Sequence, residues 1–399
     1  MKLIKCIKPR DFAWFIYLSL MMSFVFMGAQ QKYTFLLLVF AMLHVIFSKR
    51  IRLTLNQYKG CIWYGLFATY VICSMKWSVY KYNYTGITGW VVYIFLSLTV
   101  LNYSYKQSES LRFFEIFTYS GVVFSVVALV SSPLSTYGYD SFSGITGQYR
   151  TWIGEISALL FGINLCLSRY YKYGKRHIVF SIMNIATVIA SGARGPLLLL
   201  IIIGLLYIFK EKYVNKKIIY IICALITAAI IGLLIINNEG LYYAFVSRLL
   251  GAIRNDGSTI SVTERIYFMK VSWELFKNNP IVGCGVDAVR GYLSARNYWH
   301  VTYSHCQYLE LLASYGVVGT IVFMFPALFT LIKRRNEPIV FFVLIPMLIG
   351  YIWGVEYYSF IFIILMDRLQ AFSYDISLNK SLIYDKTNRF IRFGKKTML

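Results

Sequence analysis

The sequence predicts an all-α fold: a polytopic integral membrane helical bundle of about twelve transmembrane helices, with both termini cytoplasmic and one large outer loop between helices nine and ten. Three observations predict it. The 399 residues are 58% hydrophobic and only 14% charged, too little charge to wet the outside of a globule. Apolar runs able to cross roughly 30 Å of hydrocarbon recur along the whole chain. Basic residues sort onto alternate sides of those runs. Together these exclude a secreted disulfide scaffold, a coiled coil, a disordered chain and an ordinary soluble enzyme.

Taken in order, the runs are 12–29, 33–47, 60–75, 85–101, 113–131, 152–168, 178–190, 196–209, 218–236, 308–331, 339–354 and 358–369. The second and the last are short for a span. The first is followed by Gln30, Gln31 and Lys32 with no small-residue cleavage pattern, so a retained helix is expected rather than a signal peptide. With the N-terminus inside, 28 of the 40 basic residues fall in inner segments, including the tail 370–399 and its approach. Five, Lys32, Lys76, Lys81, Arg150 and Arg194, fall in short outer loops, and seven in the long outer segment 237–307. The net charge of +23 therefore reports topology, and no nucleic-acid partner is expected. The chain reads as one membrane domain, 1–399, with 237–307 as a loop carrying part of a site. The seven cysteines form no C-x-x-C and read as small apolar fillers, with a Cys284–Cys306 bridge as the minor alternative.

A stretch of about 70 residues between two spans is long enough to suggest function. Its aromatics, among them Trp273, Trp299 and Tyr303, suit sugar faces and a membrane interface equally. Ser261-Val-Thr-Glu264 has capping-box spacing and introduces a helix ending before Pro280. Ile266, Met269, Trp273 and Phe276 make one apolar stripe on it, facing either the membrane surface or the bundle, with Arg265 beside the stripe. Ser304-His305-Cys306-Gln307 repeats the capping-box spacing and places His305 on the first turn of the tenth span. There the helix dipole favours neutral imidazole, the form a general base needs. A plain helix-start histidine is the competing reading. Ser191-Gly-Ala-Arg194-Gly-Pro196 sits in a short outer connection at another helix start, which suits an anion. Arg150 adds a third cation before the sixth span, and Glu155 and Glu310 lie about one turn inside their spans. No Gly-rich phosphate loop and no metal-ligand spacing is found, so no cofactor is expected.

Ser191-Gly-Ala-Arg194-Gly before an apolar run resembles the O-antigen ligase and polymerase superfamily. So do Arg265 in R-x7-W leading to Asn279-Pro280-Ile-Val-Gly283-Cys-Gly285, and His305 in S-H-C-Q-Y-L-E-L-L-A-S-Y-G-V-V-G. The similarity runs from Ser191 to Gly319. The family usually has Asn after the His, and ligases often a second His two residues before it; here these are Cys306 and Tyr303.

The resemblance implies a glycosyltransferase of the bacterial inner membrane, acting at the periplasmic face on glycans carried on undecaprenyl pyrophosphate. It implies His305, Arg265 and Arg194 as catalytic residues, the arginines holding pyrophosphate and His305 taking the acceptor proton. Arg150, Glu310, Trp273 and Tyr303 are expected to bind substrate. The implied partners are a lipid-linked oligosaccharide donor and acceptor, membrane lipid and a chain-length regulator, with no metal. A polymerase of O-antigen or capsular repeat units is expected. The alternatives are a ligase passing the glycan to lipid A core and, from another class, a lipid-linked glycan flippase. Against the flippase, the long loop follows span nine rather than lying between two six-span halves.

Overall fold

A computed structural model describes residues 59–80, 110–131, 150–170, 176–242, 260–333 and 338–353, with isolated positions in 11–22, at 245, 246 and 250, and at 335. Among these residues every element is helical. In order they are α1 (Lys59–Ser74), α2 (Ser110–Ser131), α3 (Arg150–Tyr170), α4 (Arg176–Ala190), α5 (Arg194–Phe209), α6 (Val214–Asn237), α7 (Ile260–Asn278), α8 (Ala288–Ala295), α9 (Gln307–Lys333) and α10 (Ile345–Gly350). A single turn, Glu239–Tyr242, follows α6, and a π-helical turn, Val340–Leu344, leads into α10. Three helices in this set, α2, α6 and α9, are long and apolar enough to cross a membrane, and α1, α3, α4, α5 and the Val340–Gly350 stretch are shorter apolar helices. The expected spans 33–47, 85–101 and 358–369 lie outside the described residues, as does most of 12–29.

α3 is the centre of the main core. Residues from Ile153 to Asn164 are buried on every face of the helix, which is why its sequence mixes Ser157, Asn164 and Glu155 with Ile and Leu. Water cannot satisfy those polar groups inside apolar surroundings, so neighbouring helices do. Asn164 Nδ2 donates to Asn184 Oδ1 on α4 (3.0 Å), and Asn184 Nδ2 donates to Ser125 Oγ on α2 (3.2 Å). Small residues let the backbones approach: a Cβ on Gly162 would fall 2.1 Å from the Phe342 carbonyl oxygen of the π turn. α6 is the opposite case. None of its residues is buried although it is almost wholly apolar, so its sequence answers to lipid rather than to neighbouring helices.

The region after α6 is a helical unit with its own smaller core. Phe268, Val271 and Leu275 of α7 pack with Cys284, Ala288, Val289, Leu293 and Ala313. α7 thus buries its Phe268–Val271–Leu275 face, while Ile266 and Trp273 of the anticipated stripe are exposed. Met269 and Phe276 of the same stripe are half-buried, so the stripe neither packs inward as a whole nor turns wholly away from the bundle.

The chain then does something periodicity did not show. α9 is broken at Gly316, whose backbone (φ 63°, ψ −167°) is non-helical. This break lies nine residues past Gln307, about 14 Å along the helix. It orphans the carbonyls of Ala313 and Ser314 and the N–H groups of Val317 and Val318, which an intact helix would pair with one another. The 280–285 loop satisfies all four. Cys284 N–H donates to the Ala313 carbonyl and Gly285 N–H to that of Ser314 (both 2.9 Å). In return Val317 N–H donates to the Pro280 carbonyl (2.8 Å) and Val318 N–H to that of Ile281 (3.1 Å). Irregular backbone is tolerated among apolar helices only when protein supplies its hydrogen bonds, as here. Glycine is required on both sides: a Cβ on Gly283 would lie 2.5 Å from Gly316 N, and one on Gly316 would lie 2.3 Å from the Ile281 carbonyl oxygen. The segment after α1 closes the unit, with Val79 N–H donating to the Cys284 carbonyl (3.0 Å) and Val286 N–H to Ser74 Oγ (3.1 Å).

Candidate active site

His305 occupies a strained position. Its φ of 59° is left-handed, uncommon for a residue other than glycine, and α9 begins two residues later at Gln307. The expectation that His305 stands on the first helical turn is therefore corrected: a left-handed residue cannot belong to the helix, which starts at Gln307. Ser304, fully buried, fixes the turn. Its Oγ donates to the Cys306 carbonyl (2.6 Å) and accepts from Cys306 N–H (3.2 Å), while its own N–H donates to Glu310 Oε2 (2.8 Å). Glu310, buried one turn inside α9, thus helps hold the backbone that presents the imidazole. Gln307 N–H donates to the Tyr351 carbonyl (2.9 Å), tying the same turn to the end of α10.

The imidazole lies between rings. It stacks on Phe268 of α7 with centroids 5.8 Å apart and planes 24° apart, and Tyr303 packs against it at 4.4 Å. Burial, then the positive charge of Arg265, then His300, pull its pKa down to about 3. Arg265 and His305, forty residues apart in sequence, are close enough for the guanidinium to disfavour imidazolium. The sequence argument for a neutral ring rested on the helix dipole; burial proves to be the larger cause. Next to this pair, His300 Nδ1 lies 3.6 Å from Glu264 Oε2.

Arg194 opens α5 after an extended Ala193, with Gly192 in a left-handed turn and Pro196 in the first helical turn, as the sequence suggested. Two contacts place this helix start beside others. A Cβ on Gly154, one turn into α3, would fall 2.7 Å from Ser191 Oγ and 2.8 Å from Pro196, so α3 and α5 start side by side. A Cβ on Gly195 would fall 2.6 Å from Trp353 Nε1, and Trp353 follows the Tyr351 that binds Gln307. The starts of α3, α5 and α9 are therefore linked at one end of the bundle, an arrangement whose N–H groups favour an anion. Arg150 is the first residue of α3, but its side chain lies outside the described residues. Two buried polar atoms at this junction, Gln307 Oε1 and Trp353 Nε1, have no hydrogen-bond partner among the described residues.

Trp273 stands two turns along α7 from Arg265, half exposed and packed on Phe276 at 5.2 Å. Arg290 was missed by sequence reading. It pairs with Asp287 (2.9 Å) and its guanidinium lies 5.7 Å from the Tyr303 ring, so it stands behind the ring that touches His305. Its sequence carries no motif; only the left-handed Asp287 at the start of α8 marks the place, and that is a structural signal. Cys284 and Cys306 are both buried and free, and Cys284 Sγ faces Asn279 Nδ2 (3.3 Å) and the Leu275 carbonyl (3.4 Å) instead.

Arg194, Arg265 and His305 all fall within residues 179–324, the segment that matches a family model described as O-Antigen ligase. That match supports the O-antigen ligase and polymerase superfamily. A protein of Haemophilus influenzae described only as uncharacterized is 25% identical over 194 residues, which cover 45% of this chain and 49% of that protein. The chain thus spans about half the length of this relative. Within the superfamily match, the segment begins in α4 and ends past the break in α9, so it contains the loop exchange at Gly283 and Gly316 as well as the three candidate residues.

Proposed function

We propose that this protein is a polymerase of O-antigen or capsular repeat units, joining oligosaccharides carried on undecaprenyl pyrophosphate at the periplasmic face of the inner membrane. The observation that carries the reading is the buried His305 imidazole held between Phe268 and Tyr303, kept neutral by burial and by the Arg265 charge, at the end of the bundle where α5 starts with Arg194. In this reading the acceptor hydroxyl gives its proton to His305 as its oxygen attacks the anomeric carbon of the donor. The bond to pyrophosphate breaks with its electron pair, and Arg265 and Arg194 take up the developing charge. A single displacement inverts the anomeric centre. A pKa near 3 makes the free imidazole a weak base, but a bound pyrophosphate offsets the Arg265 charge and raises its proton affinity as the donor arrives. Gln307 Oε1 and Trp353 Nε1 offer an acceptor and a donor for sugar or phosphate groups at the same junction.

The test is a deletion strain and a reconstitution. Surface glycan reduced to single repeats, restored by the wild-type gene, is the expected outcome. Bare core with polymer stranded on the lipid carrier assigns the ligase reaction instead, which the description of the matching family also allows. Proteoliposomes with both lipid-linked substrates on the accessible face should form polymer; failure there, with movement of lipid-linked glycan across the bilayer, assigns transport.

A further inference from the structure

Ser261 to Glu264 has capping-box spacing, which assigns the Glu264 carboxylate to the backbone at the head of α7. The helix begins earlier, at Ile260, so Ser261 stands inside it and Glu264 is released from that duty. Its Oε2 faces His300 Nδ1 at 3.6 Å, beyond hydrogen-bond reach, and its Oε1 is buried with no hydrogen-bond partner among the described residues. Arg265 does not compensate it. Successive residues point about 100° apart around a helix, and among the described residues no ion pair joins the two. A carboxylate only 14% exposed that makes no hydrogen bond costs the fold free energy, and a missing donor is the simplest reason to keep it.

The position of this carboxylate says which donor. Phe268, one turn along α7 from Glu264, carries both imidazoles, with His305 on its face (5.8 Å, 24°) and His300 at its edge (5.9 Å, 76°). The Glu264–His300 pair therefore flanks the base. Its sign is opposite to that of Arg265, so a pyrophosphate is drawn to the guanidinium and turned away by the carboxylate, and a lipid headgroup phosphate meets the same repulsion. The pair is open on the His300 side, where the side chain is 46% exposed. The gap between Oε2 and Nδ1 suits a group that donates to one atom and accepts from the other. A sugar hydroxyl does both.

We propose that Glu264 and His300 bind a hydroxyl of the acceptor sugar, so that α7 divides the site into a pyrophosphate half at Arg265 and an acceptor half at Glu264. The proposal rests on the glycosyl-transfer reading above and gives the acceptor a place which that reading leaves open. Glu264 is then a binding residue kept at a cost to stability, and its half of the site favours neutral, hydroxyl-bearing sugars over uronates.

Two probes separate the halves: inorganic pyrophosphate, and the oligosaccharide released by mild acid from the lipid carrier of a strain lacking this protein. Binding of each to the full-length protein is measured in nanodiscs, alongside thermal unfolding. Glu264→Ala should weaken oligosaccharide binding by roughly tenfold or more, and His300→Ala and the isosteric Glu264→Gln by roughly threefold or more. Both Glu264 variants should bind pyrophosphate within about twofold of wild type, and Glu264→Gln should keep or raise the Tm. Arg265→Ala should do the reverse, losing pyrophosphate and keeping the oligosaccharide. Wild-type oligosaccharide affinity in both Glu264 variants would overturn the acceptor half, as would a wild-type protein that binds no oligosaccharide. So would a lowered Tm with both probes weakened alike, the signature of a carboxylate that only holds α7 in place. The binding arm needs no turnover. If His305→Ala and Arg265→Ala keep full turnover, the glycosyl-transfer reading fails by itself and the two probes still decide the assignment of Glu264.

Discussion

His305 and Arg194 stand at the same end of the bundle but are held by different means. His305 sits in a backbone pinned by Ser304, Glu310 and the Tyr351 carbonyl, above a helix break whose four orphaned groups are all paired with the 280–285 loop. Arg194 opens α5 with no side-chain cap, and the contact that links its turn to α10 is a ring edge, Trp353 against Gly195. The first arrangement is a set of directional hydrogen bonds, from buried side chains at the turn and from backbone at the break, and has one solution; the second is a ring edge against backbone and can adjust. Strain is stored where the base must be aimed, whereas a cation serves an anion over a wider range of positions.

Substitutions sharpen that contrast. His305→Ala is expected to lower turnover by about 10² to 10⁴ while leaving the protein folded, measured as polymer formed per minute in proteoliposomes. If the loss is under tenfold, His305 is not the base. Gly316→Ala, and Gly283→Ala beside it, force a Cβ into backbone at 2.3 Å and 2.5 Å in left-handed conformations, and should cost about 2 to 4 kcal/mol. The readout is thermal unfolding in detergent, and activity should fall with it. Gly195→Ala meets only the Trp353 side chain and has no left-handed φ, so it should cost about 1 kcal/mol or less by the same assay. Equal damage at Gly195 and Gly316 would erase the distinction between the two halves. Arg265→Lys should reduce kcat/KM by roughly tenfold or more, since an ammonium loses the forked contact with pyrophosphate.

The pH profile tests the electrostatic half. Because the folded pKa of His305 is lowered, to about 3, the ring is neutral throughout the physiological range, and protonation removes it only in acid. The acid limb of kcat/KM, which reports the free protein, should lie well below the ordinary imidazole value near 6.5. In Arg265→Ala, any residual activity should show that limb moved upward, because one source of the depression is gone; burial keeps the shift partial. An acid limb at the ordinary value in wild type would mean that the ring is exposed to water.

The apolar stripe on α7 shows what spacing leaves open in this protein. Ile266 and Trp273 are exposed and Met269 and Phe276 half-buried, while Phe268, Val271 and Leu275 of the same helix pack inward, so spacing finds apolar residues but not which of them a neighbour covers. The same logic separates α6, the most uniformly apolar helix and the least packed, from α3, which carries Asn164, Ser157 and Glu155 and is buried all round. α9 starts two residues later than its capping-box motif implies, because Ser304 caps a left-handed turn rather than a helix.

Among the described residues, residue type and spacing alone located long helices: 113–131 and 218–236 became α2 and α6 with ends shifted by a few residues, since hydrogen bonds within a helix are local. They also singled out Arg194, Arg265 and His305, because chemistry-bearing residues stand out in an apolar chain. Tertiary structure alone decided the break at Gly316, the approach of the Arg265 charge to His305, the place of Arg290 behind Tyr303, and the stacking of Phe268 on His305. Each depends on groups brought together from distant stretches, as when the 280–285 loop supplies the backbone partners that α9 gives up. No local pattern encodes a hydrogen bond whose other half lies on a different helix.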